Sequence, residues 1–114
     1  MSKRIEKPWG FELIWAHTED YVAKLLVINA GQRLSKQYHE KKEETIFVVE
    51  GTLINQDVDD NEMVISQGES FHVNPGQVHR FCAPENRYVK LMEVSTNHLD
   101  DVVRISDDYG REGE

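Results

Sequence analysis

Residues 31–51 read GQRLSKQYHEKKEETIFVVEG, and residues 68–79 read GESFHVNPGQVH. Together these two stretches set out Gln37, His39, Glu44 and His79: one amide oxygen, two imidazoles and one carboxylate. A divalent cation that must keep a position open for chemistry takes that mix of nitrogen and oxygen donors. Gln37 and His39 are two residues apart, so on a strand their side chains project from one face. Glu44 precedes the apolar run Ile46-Phe47-Val48-Val49, and His79 follows a Pro-Gly turn as the first residue of another short strand.

Outward from these stretches the chain alternates short strands with turn residues. Strands are predicted over residues 11–15, 21–29, 34–39, 45–50, 52–56, 63–66, 70–73, 79–82 and 88–95. Residues 45–56 read as a hairpin about Gly51, and DVDDNE at 57–62 as an acidic loop. Gly31, Gly51, Gly68 and Gly76 are assigned to turns that require positive φ. The acidic segment 99–114 is expected to be partly ordered around Val102-Val103-Arg104. Turns every eight to twelve residues without a long amphipathic helix indicate an all-β sandwich or barrel.

Composition sets the outer limits. The 114 residues are expected to form a single domain over 1–114, with a core at about 11–96 and terminal arms packed on it. A chain of this size buries about two-thirds of its unfolded surface. With 39% hydrophobic and 30% charged residues, it is not a disordered composition. A net charge of −8 argues against nucleic acid as a partner but leaves room for a small phosphorylated substrate, which needs only a few local cations. The single cysteine, Cys82, admits no internal disulfide and is expected to be buried and inert. No signal peptide or membrane-length apolar run is read, so a soluble cytoplasmic protein is expected. Edge strands in a small β-barrel are usually paired or covered, so a homodimer is expected as well.

These residues resemble the cupin superfamily. Gly31, Gln37, His39, Glu44 and Gly51 match its first motif in spacing, with Gln37 in place of the first His. Gly68, Gly76 and His79 match the second, with Asn74 where Pro is usual, Pro75 one position late and Ala83 in place of the final Asn. The series Lys7-Pro8-Trp9-Gly10, Gly31-Gln32-Arg33-Leu34-Ser35, Val48-Val49-Glu50-Gly51-Thr52, Gly68-Glu69-Ser70, His79-Arg80, Asp100 to Arg104, Asp107 and Tyr109-Gly110-Arg111 narrows this further. It is similar to the C-terminal cupin domain of type II phosphomannose isomerases, which is often fused to a GDP-mannose pyrophosphorylase domain. The resemblance implies an all-β, single-domain cupin: a double-stranded β-helix, or jelly-roll barrel, with a metal inside. It further implies interconversion of mannose 6-phosphate and fructose 6-phosphate. Nucleotidyl transfer is not carried over, because the resemblance covers the cupin part alone. Thr45 and Ile46 stand where the family commonly has His and an aromatic, and Lys42 where an Arg is common.

Such an isomerisation moves a proton between C1 and C2 through an enediolate, and a divalent cation stabilises the charge that develops. Gln37, His39, Glu44 and His79 are the expected metal ligands. The donor set is compatible with zinc, manganese, iron, cobalt or nickel, and the resemblance favours zinc. For proton transfer the candidates are Lys36, Lys42, Glu43 and a bound water, and spacing does not rank them. Arg104, in the family's Val-Arg motif, is the first candidate for a substrate-facing cation. Arg33 and Arg80 come next, although alternation from His79 turns Arg80 outward. Lys7 and Trp9 are expected to close a barrel end or a dimer seam, and His17, His72 and His98 read as ordinary surface or packing residues. Two other functions remain open on sequence: a metal-binding cupin of another class (dioxygenase, lyase or epimerase), or a non-catalytic small-molecule binding module.

Overall fold

The computed structural model describes residues 2–113, and these described residues form eleven strands and no α-helix. They are β1 (Lys3–Lys7), β2 (Gly10–His17), β3 (Tyr21–Ile28), β4 (Lys36–Tyr38), β5 (Glu44–Glu50) and β6 (Leu53–Gln56). There follow β7 (Glu62–Ile65), β8 (Ser70–Val73), β9 (Arg80–Cys82), β10 (Val89–Thr96) and β11 (Val103–Ser106). One sheet runs β1-β2-β3-β10-β5-β8. Facing it are β7-β6-β9 and β11-β4, joined by bridges between Arg33 and Cys82 and between Gln37 and His79.

After β3 only the β6–β7 connection stays within one sheet; every other connection crosses between the two faces. This is the double-stranded β-helix that the resemblance implies. It also corrects one local expectation. Residues 45–56 do not form a hairpin: β5 pairs with β10 and β8, whereas β6 pairs with β7 and β9. Gly51 makes the crossing. Its φ is +89°, and a Cβ there would stand 2.8 Å from the Tyr88 carbonyl oxygen, so the corner admits no side chain without a shift. The strand predicted over 34–39 is only three residues long, and β1 and β11 were not predicted as strands.

β-Branched and aromatic residues in period two give these strands one inward face. The inward residues toward one end of the barrel are apolar: Leu26, Ile28, Ile46, Val48, Leu53, Phe81, Val89 and Leu91 belong to a single core. Phe71 meets Phe81 edge-on within it, with ring centroids 6.4 Å apart. Toward the other end the same inward phase carries charge, with Glu12 on β2, Lys24 on β3, Glu93 on β10 and Glu44 on β5, all buried. No helix of the described residues is long and apolar enough to cross a membrane.

Candidate metal centre

Strand register assembles the site. Arg104 pairs with Gln37 across β11 and β4, and Gln37 pairs with His79 through two backbone hydrogen bonds of 3.0 and 2.9 Å. Directly opposed residues in a sheet share a face, so these three form one row on the inner wall. His39 follows directly on β4, and Glu44 opens β5 on the facing sheet. The short loop 39–43 brings the two together.

His39, Glu44 and His79 are 2%, 3% and 1% exposed. One ligand atom from each lies within 4.8 Å of the others. Glu44 Oε1 stands 3.3 Å from His79 Nε2 and 3.7 Å from His39 Nε2. The far side of each ring is committed. His39 Nδ1 donates to the Asp101 carbonyl at 2.6 Å, and His79 Nδ1 to the Gln77 carbonyl at 3.0 Å. A carbonyl only accepts, so both Nδ1 atoms carry a proton, which in the neutral imidazole leaves each Nε2 with a lone pair. Neither Nε2 makes a hydrogen bond, although both are buried. Buried polar atoms are rarely left so.

A shared cation resolves this arrangement. Two ligands on a tetrahedral zinc at the usual bond lengths stand roughly 3.3 Å apart, which is close to the separations found here. Gln37 lines the adjoining cavity, and its side-chain oxygen accepts from the Ser35 hydroxyl at 2.7 Å, which leaves it a second lone pair.

Charge around Glu44 is dense. Lys42 Nζ lies 3.0 Å from Glu44 Oε2 and 3.1 Å from Glu93 Oε2, and Lys42 is 6% exposed. Burial works to raise the Glu44 pKa, but the groups packed against it, the Lys42 ammonium among them, outweigh it and hold the carboxylate well below its usual range. Burial works against the Lys42 ammonium too, yet Glu93 and Glu44 outweigh it and raise its pKa. Glu93 goes the other way. Burial, reinforced by the charge of Glu44, pushes its carboxyl pKa up against the pull of Lys42 and Lys24.

Beside the triad lies a cavity of about 110 Å³, lined among others by Gln37, His39, Glu44, Lys42, Glu93 and Arg104. His79 does not line it and meets it through Glu44. Lys7, half-buried, and Arg111 also line it. Burial, and after it repulsion from Lys24, Arg104 and Arg111, lowers the Lys7 pKa against the attraction of Glu12. Trp9 is 3% exposed and packs into both the core and this wall.

Other candidates fall elsewhere. Lys36 occupies the opposite phase of β4 from Gln37; its ammonium donates to the Val58 carbonyl at 3.2 Å and pairs with Asp60. That takes it out of the cavity. Glu43 also points away and pairs with His72 at 2.9 Å. Arg33 is held by Asp108 through bonds of 2.7 and 2.9 Å. Arg80 does not line the cavity, in keeping with its phase. It is nevertheless 4% exposed rather than solvated. The Leu34 carbonyl accepts from it at 2.9 Å, and Asp108 of the C-terminal arm pairs with it at 3.2 Å. Burial pushes the Cys82 thiol up to about 11, so it is an inert side chain at neutral pH.

Sequence reasoning missed Glu93, Lys24, Glu12 and Asp101, all of which line the cavity. The first three left a legible signal: each puts a charge in the apolar phase of a strand. Asp101 left none, because its role depends on a loop contact. Its carboxylate accepts the backbone N–H groups of Glu40, Lys41 and Lys42 at 3.0, 2.7 and 2.9 Å. Burial opposes these bonds, yet they hold its pKa down at about 2.

The cupin domain family (Cupin_2) matches residues 24–95. Mannose-1-phosphate guanylyltransferase ManC of Salmonella typhimurium is 35% identical over 97% of this chain and 24% of its own length. Mannose-1-phosphate guanylyltransferase of Escherichia coli is 33% identical over the same shares, 97% and 24%. The chain thus spans about a quarter of the length of these relatives. Among solved structures, KdgF from Halomonas superposes with a TM-score of 0.74 at 20% identity, covering 84% of this chain and 88% of that one. A sugar phosphate isomerase of the cupin superfamily from Silicibacter pomeroyi superposes with a TM-score of 0.70 at 19% identity, over 77% and 59%. At such identities the likeness concerns the fold.

Proposed function

The chain belongs to the cupin domain family, and from that premise we propose that it is a metal-dependent sugar-phosphate isomerase interconverting mannose 6-phosphate and fructose 6-phosphate. The observation that carries this reading is the pair of buried Nε2 lone pairs facing Glu44 beside a cavity with cations on its wall. His39, Glu44 and His79 would hold the cation, with Gln37 as a fourth oxygen donor. Bound there, a divalent cation supplies Lewis-acid stabilisation of negative charge on adjacent sugar oxygens.

The chain's own residues supply the rest. Arg104, with Lys7 beside it, provides the positive wall that a phosphate requires, while Arg111 is held by Asp107 through bonds of 2.8 and 3.0 Å. Lys42 is held as an ammonium between two carboxylates, so it is a poor base. With Lys36 and Glu43 turned away, Glu93 is the cavity carboxyl suited to carry the proton between C1 and C2. Its burial moves its proton affinity toward the value that general acid–base catalysis favours near neutral pH. Trp9 and the buried wall around it limit water at the reacting carbons.

A coupled assay tests this reading: fructose 6-phosphate is supplied and mannose 6-phosphate measured, with and without chelator. Turnover that chelation abolishes and added divalent metal restores is expected, and His79→Ala should lose nearly all of it. A second reading, a binding module whose pocket is completed by another polypeptide, is favoured by the small enclosed volume and by the quarter-length match to the relatives. Metal bound at one equivalent with no turnover on either sugar phosphate decides for it.

A further inference from the structure

Glu44 presents its two oxygens to different neighbours. Oε1 faces His39 Nε2 at 3.7 Å and His79 Nε2 at 3.3 Å, while Oε2 faces the Lys42 ammonium at 3.0 Å. Lys42 is in turn fixed at both ends. Its backbone N–H donates to Asp101 Oδ2 at 2.9 Å, and its ammonium reaches Glu93 Oε2 at 3.1 Å. At 6% exposure the ammonium has no solvated position to swing into without stranding two buried carboxylates. A carboxylate free of such a partner can offer both oxygens to one cation, and the number it offers fixes how much of the coordination shell remains for a ligand.

Resting on the ligand set proposed above, we propose that Lys42 is a positioning residue that limits Glu44 to one oxygen toward a bound cation. Two consequences follow. The cation keeps more of its shell for outside donors, which suits a substrate presenting two adjacent oxygens, such as an α-hydroxy carbonyl, over one presenting a single oxygen. Lys42 also withdraws electron density from Glu44, so the cation stays more electrophilic at some cost in its affinity. Lys42 thus acts through Glu44 and need not touch the sugar.

Cobalt(II) reports on both, because its visible ligand-field bands weaken as coordination number rises. The full chain and its Lys42→Met and Lys42→Arg variants are titrated with cobalt(II) alone, with absorbance and affinity recorded. Lys42→Met should weaken the bands and tighten cobalt binding about tenfold, since a cation a few ångströms away is removed. Lys42→Arg, which retains the charge, should keep the original spectrum. Lys42→Met/Glu93→Gln, which also removes the stranded acid, is read in parallel as the better-folded version and should show the same change. One equivalent of cobalt bound by both methionine variants, with spectrum and affinity unchanged within twofold, overturns the role of Lys42 and leaves the ligand set standing. Failure of the unsubstituted chain to bind cobalt overturns the ligand set and this inference with it.

Discussion

The two ends of the barrel are built on the same strands in the same inward phase, yet they are chemically opposite. On β10, Val89 and Leu91 face the core at one end, and Glu93 and Ser95 at the other. On β5, Val48 and Ile46 give way to Glu44, and on β3, Ile28 and Leu26 give way to Lys24. The apolar end gains stability from packing alone. The charged end does not. Burying Glu12, Lys24, Lys42, Glu44 and Glu93 costs desolvation that ion pairs at 3.0–3.4 Å offset but seldom exceed. An apolar set of similar volume would fold at least as well, so the charged end is read as held for chemistry.

Substitutions at the two ends should therefore separate activity from stability. The largest effect is expected at His79. His79→Ala should lower isomerase turnover by roughly 10³-fold or more and abolish stoichiometric metal, since a ligand lost outweighs the 10- to 100-fold typical of its outer partners. Metal retained in that variant would break the distinction between the ends. Next, Glu93→Gln should lower kcat by about 10²- to 10⁴-fold, the range of a lost general acid–base group, while metal content by elemental analysis stays unchanged.

At the other end, Leu91→Ala should cost about 3 kcal/mol in denaturant unfolding through the cavity it leaves. Turnover and metal content measured well below its melting temperature should hardly change. The smallest effect concerns Asp101. Its folded pKa, about 2, lies below the unfolded value of 3.8, so its contribution is complete above pH 4 and fades as pH falls through 2. The stability gap between the unsubstituted chain and Asp101→Asn should close over that interval in acid-unfolding curves. A gap that stays constant with pH would show that the three N–H bonds do not depend on the charge.

Most of the barrel was legible because period two and turn residues fix strands locally: 70–73 was read without error, and 21–29 and 88–95 to within a residue at either end. The 45–56 hairpin failed because a turn at Gly51 looks the same whether the chain returns along its partner or crosses to the facing sheet. Only the pairing of β5 with β10, forty or more residues away, decides between them. At the site, the convergence of His39, Glu44 and His79 was legible from motif spacing, and the placing of Gln37 and Arg104 on the cavity from the same resemblance. Glu93 and Lys24 could have been found by asking why an apolar phase is interrupted by charge. The grip of Asp101 on residues 40–42 spans some sixty positions and is visible only once the arm is folded back.

The most direct test is anomalous diffraction from crystals grown with zinc or cobalt. One anomalous peak is predicted at about 2.0–2.2 Å from His39 Nε2, His79 Nε2 and an oxygen of Glu44. Metal-containing crystals with no peak among these three side chains, or with the peak elsewhere on the protein, would contradict the account.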